Sequence, residues 1–125
     1  MSAGDSTSEI LRRLENIESR ITSLDETDAF ALRANRETYL EIISQIFGRS
    51  EVRAKAYLAA DGTKTVQELA DEIGVKRPNA GTELRLLAAE GLLEARQDGA
   101  QVFYGKKALD RTLSVSRFLR ERFNL

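Results

Sequence analysis

Residues 65–91 read TVQELADEIGVKRPNAGTELRLLAAEG. Two helix starts and two helix stops lie within this stretch. Thr65-Val66-Gln67-Glu68 has the form of a capping box, in which the Thr65 hydroxyl and the Glu68 carboxylate each take an N–H that the first turn leaves without a partner. A short helix through Leu69, Ala70 and Ile73 then meets Gly74, a residue suited to the left-handed C-terminal cap. Val75-Lys76-Arg77 makes the turn. Pro78 opens the next helix, where its missing N–H costs nothing. That helix carries Leu84, Leu86, Leu87 and Ala88 and stops at Gly91. Ala70 is small enough for the two helices to cross closely. Two short helices joined by a tight turn make a helix-turn-helix unit.

The sequence on either side extends this unit. Downstream, Leu92–Gln97 and Ala100–Tyr104 are strand-forming runs around Asp98-Gly99, the pattern of a β-hairpin closed by a two-residue Asp-Gly turn. A hairpin directly after the second helix is a wing. Residues 107–123 return to helical spacing through Leu109, Leu113, Phe118, Leu119 and Phe123. Upstream, EVRAKAYLAADG from Glu51 forms a helix ending at Asp61-Gly62. A further helix over 28–47, opened by Thr27 or Asp28 and stopped by Gly48, gathers Leu32, Tyr39, Leu40, Ile42, Ile43, Ile46 and Phe47 on a broad apolar face that calls for cover. Earlier still, Ile10, Leu14, Ile17, Ile21 and Leu24 are spaced four, three, four and three. That is a heptad seam, with Arg13 and Arg20 at g and Glu18 and Asp25 at e. A parallel pair of such helices sets each Arg opposite an acid; an antiparallel pair does not. The alternative is an amphipathic helix packed on its own subunit. The first eight residues, small or polar, read as a disordered start.

The expected architecture is therefore mainly α with a small β-hairpin: a disordered 1–8, a helical dimerisation extension over 9–48, a winged helix-turn-helix over 49–106, and a C-terminal helix over 107–125. Composition narrows the chemistry. The chain has 125 residues, 42% hydrophobic and 31% charged, the balance of one folded domain with an accessory element. It holds neither cysteine nor histidine. Disulfides, thiolate nucleophiles, imidazole acid–base catalysis and zinc sites built on nitrogen or sulfur are thereby excluded, and the reading is not an enzyme. Gly99…Gly105-Lys106-Lys107 misses the phosphate-loop pattern in both spacing and the final hydroxyl residue. No apolar run reaches the roughly 20 residues of a membrane span, and MSAGDSTSE lacks a secretory pattern, so no membrane partner and a cytoplasmic location are expected. Charge is uneven. Residues 1–48 carry five basic and nine acidic side chains, residues 49–125 fourteen and eleven. A nucleic-acid-binding half and a non-binding half fit that split.

Residues 66–105 resemble the winged-helix domain of the arsenic-repressor (ArsR) and multiple-antibiotic-resistance (MarR) type transcription regulators. The resemblance is carried by Leu69-Ala70-Asp71-Glu72-Ile73-Gly74-Val75, then Leu84 and Leu87, then Glu90-Gly91-Leu92-Leu93, then the Asp98-Gly99 wing ending in Val102-Phe103-Tyr104. It implies a homodimeric, sequence-specific DNA-binding regulator, in simplest form a repressor, reading a pseudo-palindrome in double-stranded DNA. The recognition helix would span 78–90 and the wing 93–105. Side chains near the start of a recognition helix reach base edges. Here these are Lys76, Arg77, Asn79 and Thr82, with Arg85 one turn on, and Gly81 would let the backbone approach. Arg96 and Gln101 on the wing, with Lys106 and Lys107 beyond, would meet phosphates or the minor groove. Ile10, Leu14, Ile17, Ile21 and Leu24, with Leu113 and Phe118, would form the dimer interface. The chain departs from the family at Gly81-Thr82-Glu83, where members often carry Ser-Arg, and in lacking the cysteines or histidines of the metal-sensing members. No cofactor is implied, and no residue set specifies a small-molecule effector near Tyr39 and Phe47. The competing reading is a protein-interaction module assembled through the N-terminal coiled coil.

Overall fold

A computed structural model describes residues 29–125. The expected disordered start and the heptad segment, with Ile10, Leu14, Ile17, Ile21 and Leu24, lie outside the described residues. The chain divides into two compact units, one ending at Gly48 and one spanning Arg49–Leu125.

In the first unit, α1 spans Ala29–Ala34 and α2 spans Arg36–Phe47. The single helix expected over 28–47 is thus two segments. Asn35 separates them: its Nδ2 donates to the Ala31 carbonyl at 2.9 Å, and its own N–H meets the same oxygen at 3.2 Å. An asparagine amide competing for helix carbonyls offers the backbone a local alternative to the regular ladder. Tyr39, Leu40, Ile42, Ile43, Ile46 and Phe47 of α2 are all buried, as an apolar face this broad requires.

The second unit contains α3 (Glu51–Ala59), α4 (Val66–Ile73), α5 (Arg77–Ala89), the hairpin β1 (Leu93–Asp98) and β2 (Gln101–Lys106), α6 (Ala108–Leu113) and α7 (Val115–Phe123). Several boundaries have a local cause. The Ser50 hydroxyl caps α3 by accepting from the Arg53 N–H at 3.2 Å. At the start of α4 both arms of the capping box close: Glu68 N–H to Thr65 Oγ1 at 3.1 Å and Thr65 N–H to Glu68 Oε1 at 3.0 Å. Gly74, at φ +75°, ends α4 in a Schellman closure, with Val75 N–H on Ala70 O and Gly74 N–H on Asp71 O. The same pair of bonds ends α5 around Gly91, from Leu92 to Leu87 and from Gly91 to Ala88.

Helices α3, α4 and α5 pack on one another, α5 also packs on β1, and α7 lies on α3 and α6. Ala70 and Ala80 are wholly buried, so two small side chains serve the tight α4–α5 packing. Leu69, Leu84, Leu87, Leu92, Leu93, Leu113, Val115 and Leu119 fill the centre around Tyr57. Burying each such aliphatic side chain contributes about 1.5–3 kcal/mol.

Two expectations change here. The hairpin register pairs Asp98 with Gln101, so the two-residue loop is Gly99-Ala100, one position later than the Asp98-Gly99 expected. Gly99 has φ +62° and Ala100 does not share the positive range, the signs of a type II′ turn, which wants glycine first. The helix expected over 107–123 is broken at Ser114, which adopts φ 56°, ψ 45°. Asp110 holds that bend: its Oδ1 accepts from the Ser116 N–H at 2.9 Å and the Ser116 hydroxyl at 2.6 Å. Among the described residues, no helix is long and apolar enough to cross a membrane.

Candidate nucleic-acid interface

The second helix of the helix-turn-helix begins with an N-cap that is itself cationic. Lys76 occupies that position with no side-chain cap bond, Arg77 is the first helical residue, and Pro78 follows. The first turn holds no acid. Its dipole end is therefore flanked only by positive and neutral groups, an arrangement that favours an approaching anion. Lys76, Arg77, Asn79, Thr82 and Arg85 are all exposed. At about 100° per residue, Asn79 and Thr82 lie on neighbouring lines of the helix, with Arg85 one turn beyond Thr82. The Thr82 hydroxyl donates back to the Pro78 carbonyl at 2.9 Å, which leaves its oxygen available as an acceptor.

Glu83, the acid that the sequence places in this helix, is turned onto a neighbour. Its Oε2 accepts from Arg53 Nε of α3 at 2.6 Å, and the two side chains are 19% and 24% exposed. Gly81 is buried rather than presented to a groove. A Cβ there would stand 3.8 Å from Val66 Cγ1 and 3.1 Å from Arg85 Nη1. It therefore serves the packing against α4 and the seating of Arg85, and the close backbone approach expected of it is not available.

On the wing, Arg96 and Gln101 are exposed as expected. The Arg96 guanidinium stacks 4.9 Å from the Phe103 ring centre, donates to Gly62 O at 3.3 Å and stands 3.9 Å from the Asp98 carboxylate. Cation–π stacking and the carbonyl hold a long side chain that would otherwise sample many rotamers. Strand β2 is tied to the loop after α3 as well. Gly62 N–H donates to Tyr104 O at 2.8 Å, and Gly105 faces Gly62 so closely that a Cβ on Gly105 would lie 3.4 Å from its Cα.

Lys106, expected at the phosphates, instead points inward: Nζ donates to Leu58 O at 2.9 Å and Ala60 O at 2.6 Å and lies 5.6 Å from the centre of the Tyr57 ring. The physical reason is the end of α3, whose last carbonyls lack helical partners and are satisfied by a cation. Burial lowers the Lys106 ammonium from its ordinary value, and the Asp110 carboxylate opposes that shift. Tyr57 completes the cluster. Its hydroxyl donates to Asp110 Oδ1 at 2.8 Å, and burial, reinforced by that carboxylate, pushes its ionisation far upward. Leu113, expected at a dimer interface, is fully buried within its own unit, so it presents no surface to a partner; Phe118 is half-buried. Among the described residues no group of three or more acidic side chains is placed to hold a metal ion.

Three mutually packed helices, a helix-turn-helix whose two helices each end in a Schellman motif, and a hairpin returning beside it define a winged helix-turn-helix protein. No family model matches the chain. It is 22% identical to the crystal structure of the AntR antimony-specific transcriptional repressor, with a TM-score of 0.50 over 70% of this chain and 82% of that one. A stretch of 55 residues is 40% identical to the lactose phosphotransferase system repressor of Lactococcus lactis subsp. lactis. That stretch is 44% of this chain and 22% of the relative, so the two share about a fifth of the relative's length.

Proposed function

We propose that this chain is a DNA-binding transcription regulator, acting as a homodimer that reads a pseudo-palindromic site with α5 and braces the flanking backbone with the wing. The observation that carries this reading is the start of α5, where Lys76, Arg77, Asn79, Thr82 and Arg85 are exposed together and the helix's acid is turned away. In such a helix Asn79 suits adenine, and Arg77 suits guanine, through paired hydrogen bonds. Lys76 and Arg85 suit phosphates. The stacked Arg96 suits a phosphate or the minor groove beside it. Both relatives bear the name of repressors, which supports occlusion of a promoter as the simplest mode. Dimerisation rests on the heptads at Ile10–Leu24, where parallel pairing matches charges across the seam. Two copies related by a two-fold axis would set their recognition helices about one turn of DNA apart.

Anisotropy titration of labelled genomic promoter fragments and a random duplex, across a salt series, tests this. Preference for particular fragments, with log K falling linearly in log salt by a few phosphate equivalents, is the expected result. A weak and uniform response to every duplex would sink the proposal.

A further inference from the structure

Glu83 is the only acidic residue between Arg77 and Ala89. It follows Asn79 by one helical turn, about 40° further round the axis, while Thr82 lies about 60° to the other side. An extended Glu83 side chain would therefore project beside Asn79, the residue suited to adenine, and bring a negative charge towards the phosphates. It does not extend. Its carboxylate meets Arg53 Nε at 2.6 Å across thirty positions of sequence, where both side chains are largely withdrawn from water. Partial desolvation makes such a pair stronger than an exposed one. Arg53 is well placed to hold it, because the Ser50 cap fixes the first turn of α3 through Arg53's own N–H. Other acids of the helix-turn-helix are engaged too: Glu68 with Thr65, Asp71 with Gln67, and Glu72 with Lys64. Those three lie on α4. Only Glu83 shares a helix with the proposed base contacts.

Resting on the DNA-binding reading above, we infer that Arg53 is a positioning residue for that interface: by pairing with Glu83 it keeps a carboxylate off the DNA-facing side of α5. Arg53 acts through Glu83 and not through a phosphate of its own. Removing Arg53 should then weaken binding to every duplex, and removing the Glu83 charge as well should restore it.

The test is a double-mutant cycle in the full chain: Arg53→Met, which keeps the aliphatic stem, Glu83→Gln, and both together, with Arg53→Lys as the conservative variant. Duplex affinity is read by anisotropy at two salt concentrations on a preferred fragment and a random duplex, and unfolding midpoints are measured separately. Arg53→Met is expected to lose about three- to tenfold in affinity, more at low salt, since one negative charge is released near the backbone. Glu83→Gln alone stays within about twofold, the double variant returns to within about twofold of wild type, and Arg53→Lys retains most of the affinity. A double variant as weak as Arg53→Met overturns the inference, because Arg53 then touches DNA itself. So does a gain from Glu83→Gln alone, or a loss from it confined to the preferred fragment, which would make the carboxylate a base reader. Affinity that merely tracks the unfolding midpoint overturns it as well. Should Arg53→Met not fold, the swapped pair Arg53→Glu with Glu83→Arg keeps the bridge and adds a cation to α5. Because the bridge still holds the charge at position 83 away from the DNA, affinity within about twofold of wild type supports the inference; a larger change in either direction overturns it. Wild type without affinity for any duplex removes the DNA-binding reading and this inference together, whereas binding without coupling removes only the second.

Discussion

Lys76 and Lys106 are the same residue type, both placed by sequence at a DNA surface, and the fold treats them in opposite ways. At the mouth of α5, Lys76 is exposed and makes no side-chain cap bond. At the root of the wing, Lys106 is half-buried and holds two carbonyls at the end of α3. A helix start repels a cation through its own dipole and turns it towards solvent and incoming anions; a helix end draws it in. The fate of a surface lysine is set by which end of a helix it stands beside.

The contrast is broken most directly by charge reversal at the helix start. Lys76→Glu with Arg77→Glu should lower duplex affinity about 10³-fold at low salt while circular dichroism and the unfolding midpoint stay close to wild type. Retained affinity would remove α5 as the recognition element. At the wing root the expected effects fall on stability. Asp110→Ala leaves the buried Tyr57 hydroxyl and the Ser116 N–H without their acceptor and should cost about 2–3 kcal/mol in urea unfolding. Lys106→Met uncovers the α3 carbonyls and should cost about 1–2 kcal/mol, with DNA affinity within about twofold of wild type. The matched Lys76→Met should do the reverse, and a loss of affinity in both lysine variants would erase the distinction.

How much of this was legible in the sequence follows the range of the interaction. The capping box at Thr65, the left-handed Gly74 and the stop at Gly91 depend on residues within a turn of one another, and their spacing alone identifies them. The hairpin was legible but its register was not, because Asp98-Gly99 and Gly99-Ala100 are both acceptable turn pairs and cross-strand packing decides between them. Ser114 gave no sign of a bend, since serine seldom takes positive φ; the bend is held by Asp110, which also answers to Tyr57, 53 positions away. The inward turn of Lys106 is hidden for the same reason, its partners lying 46 and 48 positions upstream. The exposed set on α5 was readable because helix geometry fixes it locally. The engagement of Glu83 by Arg53, thirty positions distant, was not.

Smaller effects sharpen the local half of the contrast. Thr65→Ala should cost about 1 kcal/mol through the lost cap, read by the urea midpoint. The Thr65 N–H holds the Glu68 carboxyl below its ordinary value. Between that lowered value and the ordinary one the unfolded chain binds the extra proton, so this stability is present above the ordinary value and is lost as pH falls through the lowered one. Glu68→Gln should therefore flatten the acid limb of the midpoint–pH profile slightly. An unchanged limb would separate the box geometry from its charge.

The tie between the wing root and α3 has a consequence for loop length. Tyr57 to Asp110, Lys106 to Leu58 and Ala60, and Gly62 to Tyr104 all close the chain at nearly one place. The entropy of closing that long loop is lost once and shared among them. The hairpin tip at Gly99-Ala100 lies outside the closure, where its residues are exposed and each doubling of an already flexible loop costs only about 0.6 kcal/mol. The wing of this protein can thus be lengthened or redesigned at its tip while the scaffold that aims α5 stays shut behind it.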